Sequence, residues 1–487
     1  MVRLIKSYGI IIVLAISTAN LVRGNSNHVT RNFKTDTSYI EYSLIDFLNQ
    51  IIKYHPLMKS AQLQQDIGRL MILKARGNFD PQIQFNQQQK SFNAIDYYNL
   101  QNLQINNSTR LGIKFIGGTE YASGNYVDPM NYVGKSGINY LGAELPLLKD
   151  LMIDKKRAEL QKSKVYAQIS IAERTILENQ ILFSAIDLYT EWLLHFESAK
   201  CVAEIVNNAQ KRKNALMVLF QHGAATSIDT LETHVQLNQY TAKLTELNWK
   251  LQKSKILLNS FLWIDNLKPV ELDSTVIPTV NHLDFIDSMV ISWKNNQNWQ
   301  NQTEQTEFSI PPTLAYYQNK VTLNEIQKNL TQNNLLPELN IKYQYLQPLN
   351  EINLNPINFN NNKFGIQFST PLVRSSIAEL KIAQFQTQQS ELEYLNKRRE
   401  LIQKTEAYFR EIEVAKNLQQ QWFSIASETQ MLYQMELKRL EAGDVNFFVI
   451  NTRETRTLDQ KLKAIEAQIN TYKRSNDLLS LLGYNRW

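Results

Sequence analysis

The side chains in this sequence that could act as nucleophiles or metal ligands are few and scattered. Six histidines stand at positions 28, 55, 195, 222, 234 and 282, and no pair has the spacing of the HExxH zinc motif. Cys201 is the only cysteine, so an intrachain disulfide is excluded, and its apolar neighbours predict packing within a helix. The sequence also lacks a phosphate-binding glycine loop and a nucleophile elbow. We therefore predict a protein that is not an enzyme and needs no cofactor or metal.

The net charge does not indicate a nucleic-acid partner. The formal charge of +6 includes Arg3 and Lys6, and the other charges are spread along the chain instead of forming a basic stripe. Apolar residues make up 43% of the chain and charged residues 20%, which suits a folded protein. The composition predicts a folded chain that does not bind nucleic acid.

Residues 1–24 have the layout of a secretory signal peptide. Arg3 and Lys6 precede an apolar run at 10–16 and small residues at 17–19, and this run is too short for a permanent membrane helix. A buried N-terminal helix is the alternative interpretation. No cysteine lies near the cleavage region, so lipid attachment there is not expected. The rest of the sequence has no run of eighteen apolar residues, so strands would have to make any membrane crossing.

Two long stretches of the chain lack proline. Residues 147–268 contain only one glycine, Gly223, and residues 372–487 contain only Gly443 and Gly483. Proline in a helix interior costs about 3 kcal/mol and glycine about 1 kcal/mol, so both stretches permit very long helices. Apolar residues within them recur at steps of three and four, which is typical of coiled-coil seams. We predict two long helical hairpins, each interrupted by a glycine turn.

The chain repeats one plan twice. Prolines 56 and 81 are 25 residues apart, as are prolines 312 and 337, and each long stretch reaches its glycine after 77 or 72 residues from a proline. The predicted first repeat, 41–265, comprises a helix at 41–75, a β-hairpin region at 79–146 and helices at 147–222 and 224–265. The predicted second repeat, 312–487, comprises a helix, a β-hairpin at 337–371 and helices at 372–442 and 444–482. Residues 266–311 form an irregular connector between the repeats.

Each repeat contains segments that alternate like strands. Residues 339–345 and 364–368 place apolar side chains on one face and polar ones on the other, and so do short segments around Phe85 and Ile113. This pattern predicts four principal strands with one apolar and one polar face. Four strands are too few to close a barrel, which needs about eight. If the strands span a membrane, several chains must pool them, because open sheet edges are not tolerated there.

The junction between strand and long helix and the two glycine turns resemble those of the TolC-type outer membrane factors. The matching segments are residues 145–157 (LPLLKDLMIDKKR), 223–229 (GAATSID) and 443–449 (GDVNFFV). The resemblance implies a mainly α protein with transmembrane β structure. In this family three copies form a 12-stranded outer-membrane β-barrel continued by an α-helical periplasmic tunnel. It further implies a passive exit duct of a tripartite efflux pump or a type I secretion system.

The resemblance also implies partners and sites. The glycine turns would form the periplasmic tip, where a periplasmic adaptor docks on behalf of an inner-membrane transporter, while outer membrane lipid surrounds the strands. The tip residues carried over are Gly223, Ala225, Thr226, Gly443, Val445 and Asn446. The best-known member has a latching Arg and an acidic lumen ring after the second turn; here those places hold Val445, Val449 and Thr452. Asp229 keeps an acidic residue in the first repeat, so Asp229, Val449 and Thr452 are the candidates for a lumen constriction.

Two other classes of protein remain open at this stage. A soluble periplasmic coiled-coil adaptor or scaffold also has helical hairpins, but adaptors normally carry one hairpin inserted in a β-rich body, whereas this chain has two equivalent ones. An exported enzyme with helical insertions would need a catalytic site, which the sequence does not offer. Recovery of trimers from the outer membrane would favour the channel, and a soluble monomer would exclude it. The transported substrate cannot be inferred from a passive duct.

Overall fold

A computed structural model describes residues 39–134, 136–279, 286, 288–291, 311–350, 361–370, 374–442, 444 and 446–483. The predicted signal peptide at 1–24 and most of the second half of the connector lie outside these described residues. The structure confirms the expectation of a mainly helical chain that also contains β-strands.

The helices account for most of the described chain. They are α1 (Leu44–Tyr54), α2 (Pro56–Gly77), α3 (Lys155–Gln221), α4 (Ser227–Asn259), α5 (Pro312–Asn333), α6 (Arg374–Glu441) and α7 (Phe447–Leu482). The longest, α3 and α6, contain 67 and 68 residues. Each is therefore about 100 Å long. Within the described part of the chain, none of the helices has the apolar run that a transmembrane helix requires.

The single helix expected at 41–75 is broken in two at His55. His55 has extended backbone angles, φ −66° and ψ 130°, because the following Pro56 disfavours the helical conformation at the residue before it. Pro56 then occupies the first position of α2, where its missing N–H is not needed. The His55 Nδ1 accepts a hydrogen bond from the Leu57 amide at 3.2 Å and caps the new helix.

The first long helix begins at Lys155 and not at residue 147 as expected. The intervening residues continue alongside the second repeat: the Leu147 amide donates to the Leu339 carbonyl at 2.8 Å and the Lys149 amide donates to the Pro337 carbonyl at 3.1 Å. Asp154 then caps α3 by accepting from the Arg157 amide at 2.7 Å. The absence of proline permits a helix but does not require one, and here backbone pairing with the neighbouring segment prevails.

Two shorter helices lie along each long one. α3 packs against α2 and α4, α6 packs against α5 and α7, and α3 also contacts α5 and α7, which joins the repeats. The close approach of α2 to α3 depends on Gly68, where an added Cβ would lie 2.7 Å from the Ser170 Oγ. The ends of the shorter helices meet near His55 and Phe261, whose rings are 5.5 Å apart.

The largest apolar core lies where these helix ends meet. The side chains of Phe47, Tyr189 and Trp192 are at most 1% exposed. The Phe47 and Tyr189 rings stack at 6.1 Å, and the Tyr189 hydroxyl donates to the Tyr42 carbonyl at 2.7 Å. The short connector strand Val276–Pro278 pairs in parallel with Ile40–Tyr42 beside this core. The first part of the connector is therefore packed against the helices midway along the molecule.

The main sheet has six strands, two more than expected. They are β2 (Gln82–Phe92), β3 (Ile95–Ser108), β4 (Lys114–Ser123), β5 (Ile138–Pro146), β9 (Glu338–Pro348) and β10 (Asn362–Ser369). The short strands β1 (Ile40–Tyr42), β6 (Trp263–Ile264), β7 (Lys268–Pro269) and β8 (Val276–Pro278) lie elsewhere. The order is β10-β9-β5-β4-β3-β2, and every pairing is antiparallel. The segment around Ile113, expected to be a strand, instead forms the β3–β4 turn, where Gly112 has φ +87°.

One face of this sheet is apolar and exposed. Strand alternation and the pairing register place the following exposed side chains on it, which we call the apolar face: Ile83, Phe85, Leu103, Ile105, Phe115, Tyr121, Leu141, Leu145, Tyr343, Phe364, Ile366 and Phe368. No described residue covers them. Such a large contiguous patch is not a stable surface in water.

The opposite face of the sheet, which we call the polar face, carries mainly amides and a few charges. The Tyr140 hydroxyl donates to the Asn102 Oδ1 at 2.9 Å, and the Asn102 Nδ2 donates to the Glu120 Oε1 at 3.3 Å. Gly142 also belongs to this face, and a Cβ there would lie 2.2 Å from the Tyr343 carbonyl oxygen. Such crowding marks a sharp bend of the sheet toward its polar face.

Candidate functional site

The two turns predicted as a docking tip lie at the ends of the helices farthest from the sheet. The first connects α3 to α4 and the second connects α6 to α7. Near these turns α7 packs against both α3 and α4, so the ends of the two repeats lie side by side. The structure therefore brings the two turns to one end of the helical bundle.

The first turn is set by Gly223. It has φ +71°, a conformation that favours glycine, and no other atom lies within 4 Å of the place where a Cβ would be. The Gly223 amide donates to the Phe220 carbonyl at 3.0 Å and the Ala224 amide donates to the Leu219 carbonyl at 2.9 Å. These bonds end α3 by satisfying its last carbonyls. The glycine and its neighbours are otherwise open to solvent.

Thr226 and Asp229 begin the next helix together. The Asp229 amide donates to the Thr226 Oγ1 at 3.2 Å, and the Thr226 amide donates to the Asp229 Oδ2 at 3.1 Å, a reciprocal capping box. The carboxylate of Asp229 thus stabilises the helix N-terminus. A role of Asp229 in a lumen constriction stays a prediction, because the single chain does not define the lumen at the tip.

Asn446 plays the same part in the second turn. Its Oδ1 accepts from the Val449 amide at 3.2 Å and caps α7. One turn later the exposed Thr452 donates its hydroxyl to the Phe448 carbonyl at 2.9 Å. Gly443 and Val445 lie outside the described residues. Val449 is half-buried beside the cap. The role of Val449 and Thr452 in a lumen constriction stays a prediction.

A groove of about 370 Å³ separates α4 from α7 just behind the tip. It is lined by Glu232, Gln236, Phe448, Asn451, Thr452, Thr455, Arg456, Asp459 and Gln460. Asn451 is 3% exposed, and neither atom of its amide has a hydrogen-bond partner among the described residues. A buried amide without a partner is unfavourable by about 1–3 kcal/mol, so a polar group that reached Asn451 would gain a hydrogen bond there. Sequence reasoning missed Asn451.

A buried ion pair links the repeats behind this groove. The Arg212 guanidinium on α3 bonds to the Glu454 carboxylate on α7, with 13% and 3% of their side chains exposed. The Tyr433 hydroxyl on α6 donates to the Glu454 Oε1 at 3.0 Å. Burial, together with the charge of Glu454, raises the pKa of Tyr433 to about 12, so its hydroxyl stays protonated as a donor. Sequence reasoning missed this pair, because its members are 242 residues apart.

The described histidines and Cys201 are dispersed in the structure. Burial lowers the pKa of His55 and His195, so both are neutral at pH 7. Burial raises the pKa of the Cys201 thiol, which makes it a poor nucleophile. Among the described residues, no three His, Cys, Asp or Glu side chains are grouped so as to hold a metal ion. The tip offers helix caps, amides and a groove, which are groups suited to contact another protein.

No protein-family model matches the chain, and no curated protein matches it in sequence. Solved structures do match over nearly its whole length. The outer-membrane channel OprN superposes with a TM-score of 0.60 at 11% identity, covering 91% of this chain and 90% of that one. The Campylobacter jejuni CmeC outer membrane channel superposes with a TM-score of 0.59 at 13% identity, covering 96% of this chain and 93% of that one. The open state of the Neisseria gonorrhoeae MtrE outer membrane channel superposes with a TM-score of 0.60 at 12% identity, covering 92% of this chain and 90% of that one.

These similarities establish the fold. Each match covers at least nine-tenths of this chain and of the solved channel, so it includes both repeats. The mainly α fold with one curled β-sheet, which the TolC-type resemblance implied for the single chain, is therefore confirmed. At this identity the comparison carries no individual residue from one protein to another.

Proposed function

We propose that this chain, which folds as the outer membrane channels do, is itself an outer membrane channel-tunnel. It assembles as a homotrimer whose sheets form a barrel in the outer membrane and whose helices form a tunnel in the periplasm. It acts as the passive exit duct of a tripartite efflux pump or a type I secretion system. The observation that supports this most directly is the exposed apolar face of the sheet at one end of helices about 100 Å long.

The apolar face suits lipid and does not suit water. Burying apolar surface stabilises by about 25 cal/mol per Å², and side chains such as Ile83, Leu141 and Phe368 are 75%, 68% and 65% exposed in the single chain. A bilayer provides that burial. The polar face, with amides such as Gln84 and Gln367, would then line a lumen filled with water.

The unpaired sheet edges support assembly from several copies. β2 and β10 each pair with only one described strand. Their free N–H and C=O groups would each cost several kcal/mol in a hydrocarbon environment if left without partners. Neighbouring copies can supply the partners, and a sheet bent toward its polar face closes with that face inside. The number three is what the resemblance to the TolC-type family implies.

The tip would dock a periplasmic adaptor that connects the duct to an inner-membrane transporter. Gly223, Ala225 and Thr226 belong to the first turn, and Gly443, Val445 and Asn446 to the second. Support comes from the capped, solvent-facing turns and from the groove behind them with the unpartnered amide of Asn451. Asp229, Val449 and Thr452 would narrow the lumen between the copies. The transporter would supply the energy and select the substrate.

The alternative is a soluble periplasmic coiled-coil adaptor or scaffold. The apolar face disfavours it, since a soluble sheet would need cover for side chains such as Phe85 and Ile366. Fractionation of cells that make the whole chain separates the two. We expect the protein in the detergent-extracted outer membrane, as trimers that resist SDS until heated. A monomer in the soluble periplasmic fraction would show that the proposal is wrong.

Docking at the tip can be tested apart from assembly. We expect Ala225→Arg and Asn446→Arg each to abolish export, because a long cation at either turn would block a closely packed adaptor, while trimers still form. Since Asn446 also caps α7, Asn446→Ser serves as its matched control: it keeps the cap and should export normally. Export is measured as resistance to dyes or as secreted protein. Normal export by both Arg variants would exclude these turns as the docking surface.

A further inference from the structure

The hairpin formed by β2 and β3 is an integral part of the sheet. β3 pairs with β4 over ten consecutive residue pairs, from Asn99 with Ser123 to Ser108 with Lys114. The turn that follows β3 is held against the start of α3, where the Lys156 Nζ donates to the Ser108 Oγ at 3.1 Å. The hairpin is therefore fixed at both its strand edge and its helical end.

The hairpin also continues the apolar face. Ile83 pairs with Ile105, and Phe85 pairs with Leu103, and all four side chains lie on that face. The other side of the hairpin is polar, with amides such as Asn86. At this level the hairpin has the same alternation as the strands beside it, and farther toward its turn the same side carries Gln87, Gln89, Asn99 and Gln101.

The apolar face moves along the sheet in a regular way. On β2 its midpoint is Gln84, which stands level with Gly118 of β4 through Gln104. On β10 its midpoint is Ile366, which is level with Leu145 of β5 and therefore with residue 113 beside β4. Measured along β4, the midpoint of the apolar face thus moves from residue 118 to residue 113 over the five steps from β2 to β10. A strand rises about 3.3 Å per residue and lies about 4.8 Å from its neighbour, so a shift of one residue per strand corresponds to a strand tilt of about 35°. Strands of membrane barrels are tilted by about 35–45°.

We infer that each chain contributes six strands to the barrel, so that a trimer has eighteen strands and not the twelve that the resemblance implies. The joint between neighbouring copies then runs between β2 of one and β10 of the next, which point in opposite directions as antiparallel pairing needs. This inference rests on the proposed function. Continuing the shift of one residue per strand sets Gln84 opposite Gln367, which keeps polar residues on the polar face. It also sets Ile83 opposite Phe368 and Phe85 opposite Ile366.

An eighteen-stranded barrel has a consequence for what passes through it. Barrel diameter grows roughly linearly with strand number, so eighteen strands give a bore about half again as wide as twelve. Barrels of about 16–18 strands leave an aqueous channel. The outer-membrane end would thus hinder large substrates less than a twelve-stranded barrel would.

Cysteine cross-linking distinguishes an eighteen-stranded from a twelve-stranded barrel, and one cysteine position on β10 serves for both tests. In the full chain with Cys201→Ser, Gly365→Cys on β10 is combined either with Asn86→Cys on β2 or with Glu120→Cys on β4. Gly365 has no atom within 4 Å of an added Cβ, so it accepts a cysteine. In the eighteen-stranded barrel residue 86 faces residue 365 of the next copy. In a twelve-stranded barrel with the same shift, Gly118 faces residue 365, and Glu120 is the diagonal neighbour. Glu120 is used because a Cβ at Gly118 would lie 2.3 Å from the Leu103 carbonyl oxygen. We expect a short bis-thiol linker, which also reaches diagonal neighbours, to give covalent trimers only with Asn86→Cys.

Each outcome has a distinct meaning. Cross-linking through Glu120→Cys would overturn the inference and leave the proposed channel intact, and so would SDS-resistant trimers that neither pair cross-links. Absence of any trimer in the membrane, with the single-cysteine variants as well, would contradict the proposed function itself. If Gly365→Cys alone prevents assembly, Gln88→Cys with Lys363→Cys tests the same register two residues farther along.

Discussion

Replacing Ile366 with Arg is expected to remove most of the protein from the outer membrane. Ile366 is 63% exposed at the middle of the apolar face, on the edge strand β10. An Arg at the midplane of a membrane barrel costs about 2–4 kcal/mol, and a trimer carries the change three times. We expect SDS-resistant trimers in the outer membrane to fall at least tenfold, measured by immunoblot of unheated fractions.

The neighbouring residue provides the matched control. Gln367 is on the same strand, is also exposed in the single chain and lies on the polar face, so Gln367→Arg should assemble at nearly the normal level. Equal losses for both variants would mean that any charge on β10 is harmful, and equal retention would mean that the apolar face does not meet lipid. Either result would contradict the proposed orientation of the sheet.

Replacing Glu454 with Ala should destabilise the helical end of the molecule more than any surface change. The substitution leaves the Arg212 guanidinium buried without its carboxylate and removes the acceptor of the Tyr433 hydroxyl. Removal of one partner of a buried ion pair typically costs about 3–5 kcal/mol. We expect the free energy of unfolding of the detergent-solubilised protein to fall by about that amount, measured by urea denaturation followed by circular dichroism.

The partner substitution separates charge from packing. In Arg212→Met/Glu454→Met both charges are replaced by flexible apolar side chains, which is often neutral or stabilising at buried ion pairs. We expect this double variant to recover most of the stability lost in Glu454→Ala. If it is as unstable as the single variant, the loss is one of packing around Glu454, and the ion pair is not what holds α3 to α7.

The long helices could be predicted because their signal is negative and extends over many residues. A stretch as long as 160–220 that contains neither proline nor glycine favours a continuous helix. The φ of +71° at Gly223 agrees with the turn predicted there. The ends of the helices were less accurate. The break at His55 follows from the local sequence, because Pro56 comes next, and the prediction overlooked it. The late start at Lys155 does not, since it depends on backbone bonds to the second repeat.

The segment around Phe85 was predicted as a strand and is β2, but β3 was missed because it is short of apolar residues. The alternation that would have identified β3 runs through Leu103 and Ile105, but the adjoining asparagines and glutamines make the segment read as a loop. Its turn, Asn93–Ala94, has positive φ at both residues, 50° and 61°, a geometry suited to a two-residue hairpin. Alanine is not a residue that signals such a turn, so the hairpin was missed.

At the tip, local signals were sufficient and distant ones were not. The capping roles of Thr226 and Asn446 follow from residue type and from their position just after a glycine turn, and the structure has both caps. Asn451, Arg212 and Glu454 read in the sequence as ordinary polar helix residues. Only packing between helices far apart in the chain makes them buried, so no single-segment pattern could have identified them.

The unbroken length of α3 has a mechanical consequence. Its 67 residues run from just below the sheet to the turn at Gly223 without a proline or glycine, so the helix is a lever about 100 Å long. Long helices curve gently without losing hydrogen bonds, and a deflection of about 5° moves the far end of such a lever by roughly 9 Å. In the proposed trimer, small bends of these helices would therefore narrow the tunnel at the tip while the strands keep their positions.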